Sequence, residues 1–212
     1  MKIKKIIKLI FKYLIRAISF FFTYSTMLRL RNFKITIFTN WIATEFKILG
    51  ENSSIGYPIV LKGGKYITIG NNTGLGARGT LSAWDFYAGD TFSPTIIIGN
   101  NTSIGEDYHI TAINKIQIGN NVLMGKKITI TDNAHGKANL ESILSPPTKR
   151  ALDTKGPVII EDGVWIGDKV TILPNVTIGR NSIIGANALV TKDIPANCVA
   201  GGVPAKVIKE IT

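Results

Sequence analysis

From residue 48 onward, aliphatic side chains recur every six positions. The steps run 69, 75, 81, then 98, 104, 110, then 118, 124, 130, and finally without a break 160, 166, 172, 178, 184, 190. Many of these residues are followed at once by glycine, as in Ile69-Gly70, Leu75-Gly76, Ile98-Gly99, Met124-Gly125, Ile166-Gly167 and Ile184-Gly185. Four residues after many of them stands a small or β-branched side chain, such as Thr73, Thr102, Val122, Val164, Val170, Val176, Ser182 or Ala188. A period of six suits neither a 3.6-residue helix nor a lone alternating strand. It predicts a short strand and a corner, repeated, with one aliphatic side chain turned inward each time: an all-β parallel β-helix, a hexapeptide-repeat solenoid. Gly and Asn serve the corners because they reach left-handed backbone angles at little cost, and Gly-Asn-Asn occurs at 70–72, 99–101 and 119–121.

The period breaks in three places. Residues 82–95 interrupt the early rungs, the step from Ile110 to Ile118 is eight instead of six, and residues 132–157 form the longest interruption, a protruding loop. Loops leaving a rigid scaffold are where binding and catalytic residues concentrate. The resulting division is a basic N-terminal segment at 1–47, a solenoid at 48–200 and a C-terminal tail at 201–212.

The N-terminal segment has a different pattern. Lys5, Lys8, Lys12 and Arg16 recur at three- and four-residue steps, while Ile3, Ile6, Ile7, Ile10, Leu14 and Ile18 fill much of the remainder. This predicts a basic amphipathic helix suited to a membrane surface with anionic lipids. The rival reading is a helix packed on the body or on a neighbouring subunit. Lys12 and Arg16 interrupt the best apolar window, which argues against a transmembrane span or a signal peptide. Charge sharpens the picture. The chain of 212 residues carries 25 Lys and Arg against 14 Asp and Glu, a net +11, yet nine of the cations precede residue 35 and no acid precedes Glu45. The body is therefore nearly neutral, which disfavours nucleic acid as a partner.

Candidate chemistry is sparse. One cysteine, Cys198, excludes an internal disulfide and a Cys-rich zinc module, and two histidines cannot supply a three-His metal site, so no metal is expected. Cys198, in an apolar Gly-rich stretch, reads as a small hydrophobe. Gly74, Gly76 and Gly79 spell a dinucleotide-binding pattern by accident, inside hexads with no helix following. The Asn-x-Ser/Thr matches at Asn52, Asn71, Asn100 and Asn175 read as turn chemistry. His135 opens the long loop in Thr-Asp-Asn-Ala-His-Gly; an imidazole there is able to take a proton from a hydroxyl near neutral pH. His109, just before an inward aliphatic, reads as structural or substrate-orienting.

Residues 118–209 carry Val-Trp-Ile-Gly at 164–167, the run of hexads, Val-Thr-Lys-Asp-Ile-Pro at 190–195 and Gly-Val-Pro-Ala-Lys-Val at 202–207. In that order these resemble the hexapeptide-repeat acyltransferases, above all galactoside and maltose O-acetyltransferases and the O-antigen, capsule and sialic acid O-acetyltransferases. The resemblance implies a left-handed parallel β-helix, a homotrimer, acetyl-CoA as co-substrate and a sugar or saccharide acceptor. His135 falls on the family's catalytic histidine. Several relatives read Asp-His-x-His-Gly there, and this chain has Asn133 in place of the first histidine, which bears on acceptor choice, so Asn133 and His109 are the acceptor-binding candidates. Trp165 matches a tryptophan beside the acyl-donor site, Thr191, Lys192 and Lys206 match positions near the CoA end, and Gly167, Gly185 and Ala186 are small corner residues along which pantetheine would lie. Backbone N–H groups near Gly125 or Gly167 are candidates to hold the oxyanion. The resulting expectation is O-acetylation of a sugar hydroxyl in cell-surface polysaccharide or lipid-linked saccharide synthesis, in the cytoplasm or on the inner face of the membrane through residues 1–24. The alternatives are a small acceptor such as an antibiotic or free sugar, and a non-catalytic binding or structural β-helix.

Overall fold

The computed structural model describes residues 2–212, which fall into two compact units divided between Ile37 and Phe38. The first contains helix α1 (Lys2–Phe21) and most of helix α2 (Tyr24–Ile42). Along α1, at 100° per residue, Lys4, Lys5, Lys8, Lys12 and Arg16 share one side, while Ile3, Ile6, Ile7, Ile10, Leu14 and Ile18 share the other. The apolar side is as exposed as the basic one, with Ile3, Ile10 and Leu14 each more than half accessible. Among the described residues no helix is long and apolar enough to cross a membrane.

The second unit is a β-helix of three parallel sheets. Each coil contributes one strand to each sheet, and equivalent strands stack in the order of the chain. The first sheet runs from Ile48–Leu49 to Thr177–Ile178, and the third from Ile59–Lys62 to Leu189–Val190. The second begins at Ser54–Ile55 and ends in an antiparallel hairpin, Cys198–Gly202 with Ala205–Glu210, so much of the stretch read as a tail is a terminal strand. The hexad aliphatics point inward: Ile69, Leu81, Ile110, Ile130, Ile160, Ile166, Ile172, Ile178 and Val190 are fully buried. Cys198 is buried too, as a small hydrophobe would be.

The register shows where extra residues are housed. Stacked partners are 18 residues apart in the unbroken run of hexads (Ile160 with Ile178) and 42 apart across the long loop (Ile118 with Ile160). They are 29 apart across residues 82–95 (Ile69 with Ile98) and 20 apart across the eight-residue step (Ile98 with Ile118). A fourth extension, of two residues, lies in the first coil, where Leu49 pairs with Ile69 and a 3-10 turn occupies Gly64–Tyr66. The periodicity hides it, because alternation on either side of that turn keeps Ile59, Leu61, Ile67 and Ile69 apolar.

The Gly-Asn-Asn corners divide three tasks. A Cβ on Gly70 would strike the backbone of the next coil at Gly99 and Asn100, so stacking requires glycine there. The first Asn builds a ladder: the Asn71 N–H donates to Asn100 Oδ1 at 2.8 Å and the Asn100 N–H to Asn120 Oδ1 at 2.8 Å. The second Asn (72, 101 and 121) takes a left-handed backbone angle, with φ values of 53°, 53° and 55°. The small position four residues after each aliphatic is buried, and where it is Thr its hydroxyl is satisfied: Thr73 donates to the Gly99 carbonyl at 2.7 Å and Thr102 to that of Gly119 at 2.9 Å.

The N-terminal end of the prism is closed by residues of the same unit. Ile42 and Phe46 join the core, and the Thr39 hydroxyl accepts from the Ile55 N–H at 2.9 Å. Inside, Tyr108 is buried against Gly79, a position a Cβ would deny to the ring, and its hydroxyl has no hydrogen-bond partner among the described residues. Burial pushes the Tyr108 phenol upward, so it stays neutral across the accessible pH range.

Candidate functional site

Two features stand out on the solenoid, and they occupy different corners. The first is an open cleft of about 470 Å³ on the second sheet and its exit corner, lined by Leu123, Met124, Gly125, Trp165, Gly167, Asp168, Gly185 and Ala186 among others. Four of the residues expected near the acyl donor (Trp165, Gly167, Gly185 and Ala186) therefore meet in one place. Trp165 stands outward, 52% exposed, in register between Leu123 and Ile183. A tryptophan left that exposed beside an equally exposed Leu123 makes an apolar wall facing out of the chain.

The glycines of this corner are not equivalent. At Gly167 a Cβ would come within 2.7 Å of the Ala186 nitrogen, so the stack itself excludes a side chain. At Gly185 a Cβ would meet nothing closer than the Ala200 carbonyl oxygen at 3.6 Å, and the backbone angle there is ordinary. Packing does not require glycine at 185. What its missing side chain leaves is room in the cleft. Gly201 stacks on Gly185 and pairs with Lys206, which places that exposed cation one strand from the cleft floor.

The second feature is the His135 loop. It leaves the end of the third-sheet strand Thr129–Thr131, and its root is held by Asp132, which is fully buried. The Asp132 carboxylate accepts from the Ile113 N–H at 2.9 Å and the Asn114 N–H at 2.8 Å, the two residues by which the preceding coil is lengthened. Thus the eight-residue step and the departure of the loop are one construction: the extension turns two N–H groups toward a carboxylate in the next coil. The Asn133 amide donates to Asp132 Oδ1 at 3.0 Å and to the Thr111 carbonyl at 3.2 Å, so in this chain the residue expected at the acceptor also anchors the loop.

Past that anchor, Ala134–His135 pairs antiparallel with Leu152–Asp153, closing the loop into a hairpin. Gly136 follows with φ of +79°, a conformation that favours glycine, and its Cβ position faces Arg150. A single helical turn, Leu140–Ile143, is capped by Asn139, whose Oδ1 accepts from the Ser142 N–H at 2.9 Å. Leu140 and Leu144 of this arm are 80% and 85% exposed. His135 is itself exposed, and the ring of Tyr87 lies against it, centroids 5.3 Å apart at an interplanar angle of 68°. Tyr87 belongs to a small hairpin, Phe86–Tyr87 with Asp90–Thr91, formed by the first long interruption.

The remaining candidates are dispersed. His109 stands outward on the third sheet between Thr80 and Thr129. Thr191 and Lys192 are exposed just past Val190, which continues the column of Ile130 and Ile172, so they share the corner of the His135 loop and not that of the Trp165 cleft. Sequence reasoning missed Asp132 as the loop's anchor and Tyr87 altogether. For Asp132 a signal existed, since an acid at an inward rung end needs donors, but the donors lie 18 and 19 residues away. Among the described residues no cluster of His, Cys, Asp and Glu is placed to hold a metal ion.

Comparison with known proteins agrees with this architecture. Residues 157–192 match the bacterial transferase hexapeptide (six repeats) family model. The chain is 37% identical over 171 residues to galactoside O-acetyltransferase of Escherichia coli K12, covering 78% of this chain. It is 34% identical over 126 residues, 57% of this chain, to a putative lipopolysaccharide biosynthesis O-acetyl transferase of the same organism. The chain spans 64% of the length of each of these two relatives. Among solved structures, a mutant form of the N-acyltransferase AntD from Bacillus cereus, in complex with dTDP-4-amino-4,6-dideoxyglucose and coenzyme A, superimposes with a TM-score of 0.65 at 20% identity over 82% of this chain and 88% of that one. The chain is a hexapeptide-repeat protein with the left-handed β-helix fold, related in sequence to the galactoside and polysaccharide O-acetyltransferases.

Proposed function

We propose that the protein transfers an acetyl group from acetyl-CoA to a sugar hydroxyl of a cell-surface or lipid-linked saccharide, with His135 as general base. The observation that carries this reading is the Trp165 cleft, whose floor at Gly185 is open for a reason that packing does not supply. A narrow pantetheine arm fits an apolar wall beside small corner residues, and a cation such as Lys206 suits the phosphate end. Relatives named for galactoside, lipopolysaccharide and polysialic acid acetylation support a saccharide acceptor.

In the step itself the His135 imidazole takes the hydroxyl proton as that oxygen attacks the thioester carbonyl. A tetrahedral intermediate forms, the carbon–sulfur bond breaks, and the imidazolium returns its proton to the departing thiolate. The products are the sugar acetate and free CoA. His135 and the Trp165 cleft leave different corners of one chain, so we read the complete site as lying between two copies of a homotrimer. The exposed apolar side chains Leu123, Trp165, Leu140 and Leu144 are suited to that interface.

The donor half is tested by calorimetry of acetyl-CoA on the wild-type protein and on Gly185→Val. Valine meets no backbone clash at its Cβ, so thermal melting stays within a few degrees of wild type. Its methyl groups occupy the cleft, and acetyl-CoA affinity falls by roughly tenfold or more, about 1.4 kcal/mol per decade. Wild-type affinity in Gly185→Val, or no heat of binding in the wild type, would defeat the cleft assignment and favour the non-catalytic β-helix.

The exposed amphipathic α1 supports a second element of this reading, attachment to an anionic membrane surface where a lipid-linked acceptor resides. Each cation near such a surface contributes about 1 kcal/mol, and α1 with its following residues offers nine, of which Lys4, Lys5, Lys8, Lys12 and Arg16 lie along one side. Deleting residues 1–25 is expected to abolish co-sedimentation with vesicles containing phosphatidylserine. Unchanged partitioning of the truncated protein would count against attachment through α1.

A further inference from the structure

The two long interruptions of the β-helix have a common destination. Residues 82–95 leave the end of the third-sheet strand Gly79–Ala83, and the His135 loop leaves the end of Thr129–Thr131, two coils further along the same sheet. Between them lies the strand His109–Ala112, whose coil carries only the two-residue extension bound by Asp132. The Phe86–Thr91 hairpin thus comes from the same edge as the loop and meets it at Tyr87.

Tyr87 makes three contacts there. Its ring meets that of His135, its hydroxyl donates to the Thr148 carbonyl at 3.1 Å in the returning arm of the loop, and its other neighbour is Trp84, centroids 5.6 Å apart at 84°. Trp84 is in turn covered by the Lys62 ammonium, 3.2 Å from the ring centre. The contacts therefore run from a solenoid strand, through two aromatic rings, to the imidazole. Among the described residues the imidazole itself has no hydrogen-bond partner. Its rotamer on an exposed loop is restrained by the Tyr87 ring, and both of its nitrogens stay available. Asp132 fixes where the loop starts, and Tyr87 packs its ring against the imidazole that the loop carries.

We propose that Tyr87 is a positioning residue for His135, clasping the histidine loop to the Phe86–Thr91 hairpin so that the imidazole is held in one orientation before substrates bind. This rests on His135 being the base, but its first consequence is independent of activity. The chain has two histidines, so proton NMR of the imidazoles resolves His135 with His109 as an internal reference. In Tyr87→Leu the His135 ring signals are expected to shift and broaden, while the His109 signals stay in place. Turnover falls about 10- to 100-fold, the scale of a small misplacement of a reacting group, with KM for acetyl-CoA within twofold of wild type. Tyr87→Phe keeps the ring and loses the tie to Thr148, and its effects are expected to be smaller in both readouts; it also serves if the leucine variant does not fold. His135 ring signals identical to wild type in both variants would overturn the clasp. A full turnover in His135→Ala would instead overturn the catalytic reading, while leaving the NMR outcome to decide the contact on its own.

Discussion

Replacing His135 with alanine is expected to lower kcat by about 10²–10⁴-fold, the range that general-base assistance contributes. A sugar hydroxyl is a weak nucleophile at neutral pH, and His135 is the one imidazole in the loop, whose exposed Glu141 and half-buried Asp153 are carboxylates, ordinarily weaker bases than an imidazole. Lys137, Lys149 and Arg150 carry the wrong charge, and Asp132 is buried with its oxygens already accepting three N–H groups. His109 stands outward on the third sheet. Because His135 is exposed and lines none of the Trp165 cleft, its loss should leave acetyl-CoA affinity and melting temperature near wild type. The measurement is CoA release with a panel of sugar acceptors, with mass spectrometry of the acetylated product. A variant within a few-fold of wild type would mean that the base is elsewhere. A loss confined to KM for the sugar would reassign His135 to acceptor binding.

What could be read in the sequence was what repeats locally. One hexad is a strand and its corner, so Ile166-Gly167 and Ile184-Gly185 declare themselves within six residues, and the buried rung positions follow from that spacing. The exposed, amphipathic α1 was legible for the same reason, through a period shorter than the helix itself. Contacts between coils were not legible, because the register is set by the lengths of the interruptions. The Asp132 carboxylate finds Ile113 and Asn114 only because two added residues turn their N–H groups toward it, and Tyr87 reaches His135 and Thr148 across 48 and 61 residues of chain. Neither relation has a local signature. The separation of His135 from the Trp165 cleft follows instead from counting hexads, since corner position depends on a residue's place within an 18-residue turn.

Asp132 carries the second large effect. Its carboxylate is the one acceptor for the Ile113 and Asn114 N–H groups in the hydrogen bonds of that corner, at 2.9 and 2.8 Å, and it is fully buried. Asp132→Ala leaves both donors unpaired, the first in the core and the second half-buried; at about 1–3 kcal/mol for a buried donor, a loss of about 2–4 kcal/mol follows. Asn133 then loses one of the two acceptors that hold its amide, keeping the Thr111 carbonyl. The loop is freed at its root, three residues from the imidazole, and a misplacement of about 1 Å costs roughly 10²-fold in rate. Asp132→Asn keeps one acceptor oxygen but turns an NH₂ group toward a backbone N–H, so it should recover part of the stability at most. Urea unfolding gives the first quantity as a shift in midpoint at constant slope, and turnover at a temperature where both variants remain folded gives the second. A purely structural anchor would lower stability and leave kcat per folded molecule unchanged. A loss in both, with acetyl-CoA affinity retained, is what a carboxylate that aims the His135 loop requires. The distinction holds because the Trp165 cleft takes its lining from the second sheet and its exit corner, away from the strand where Asp132 acts.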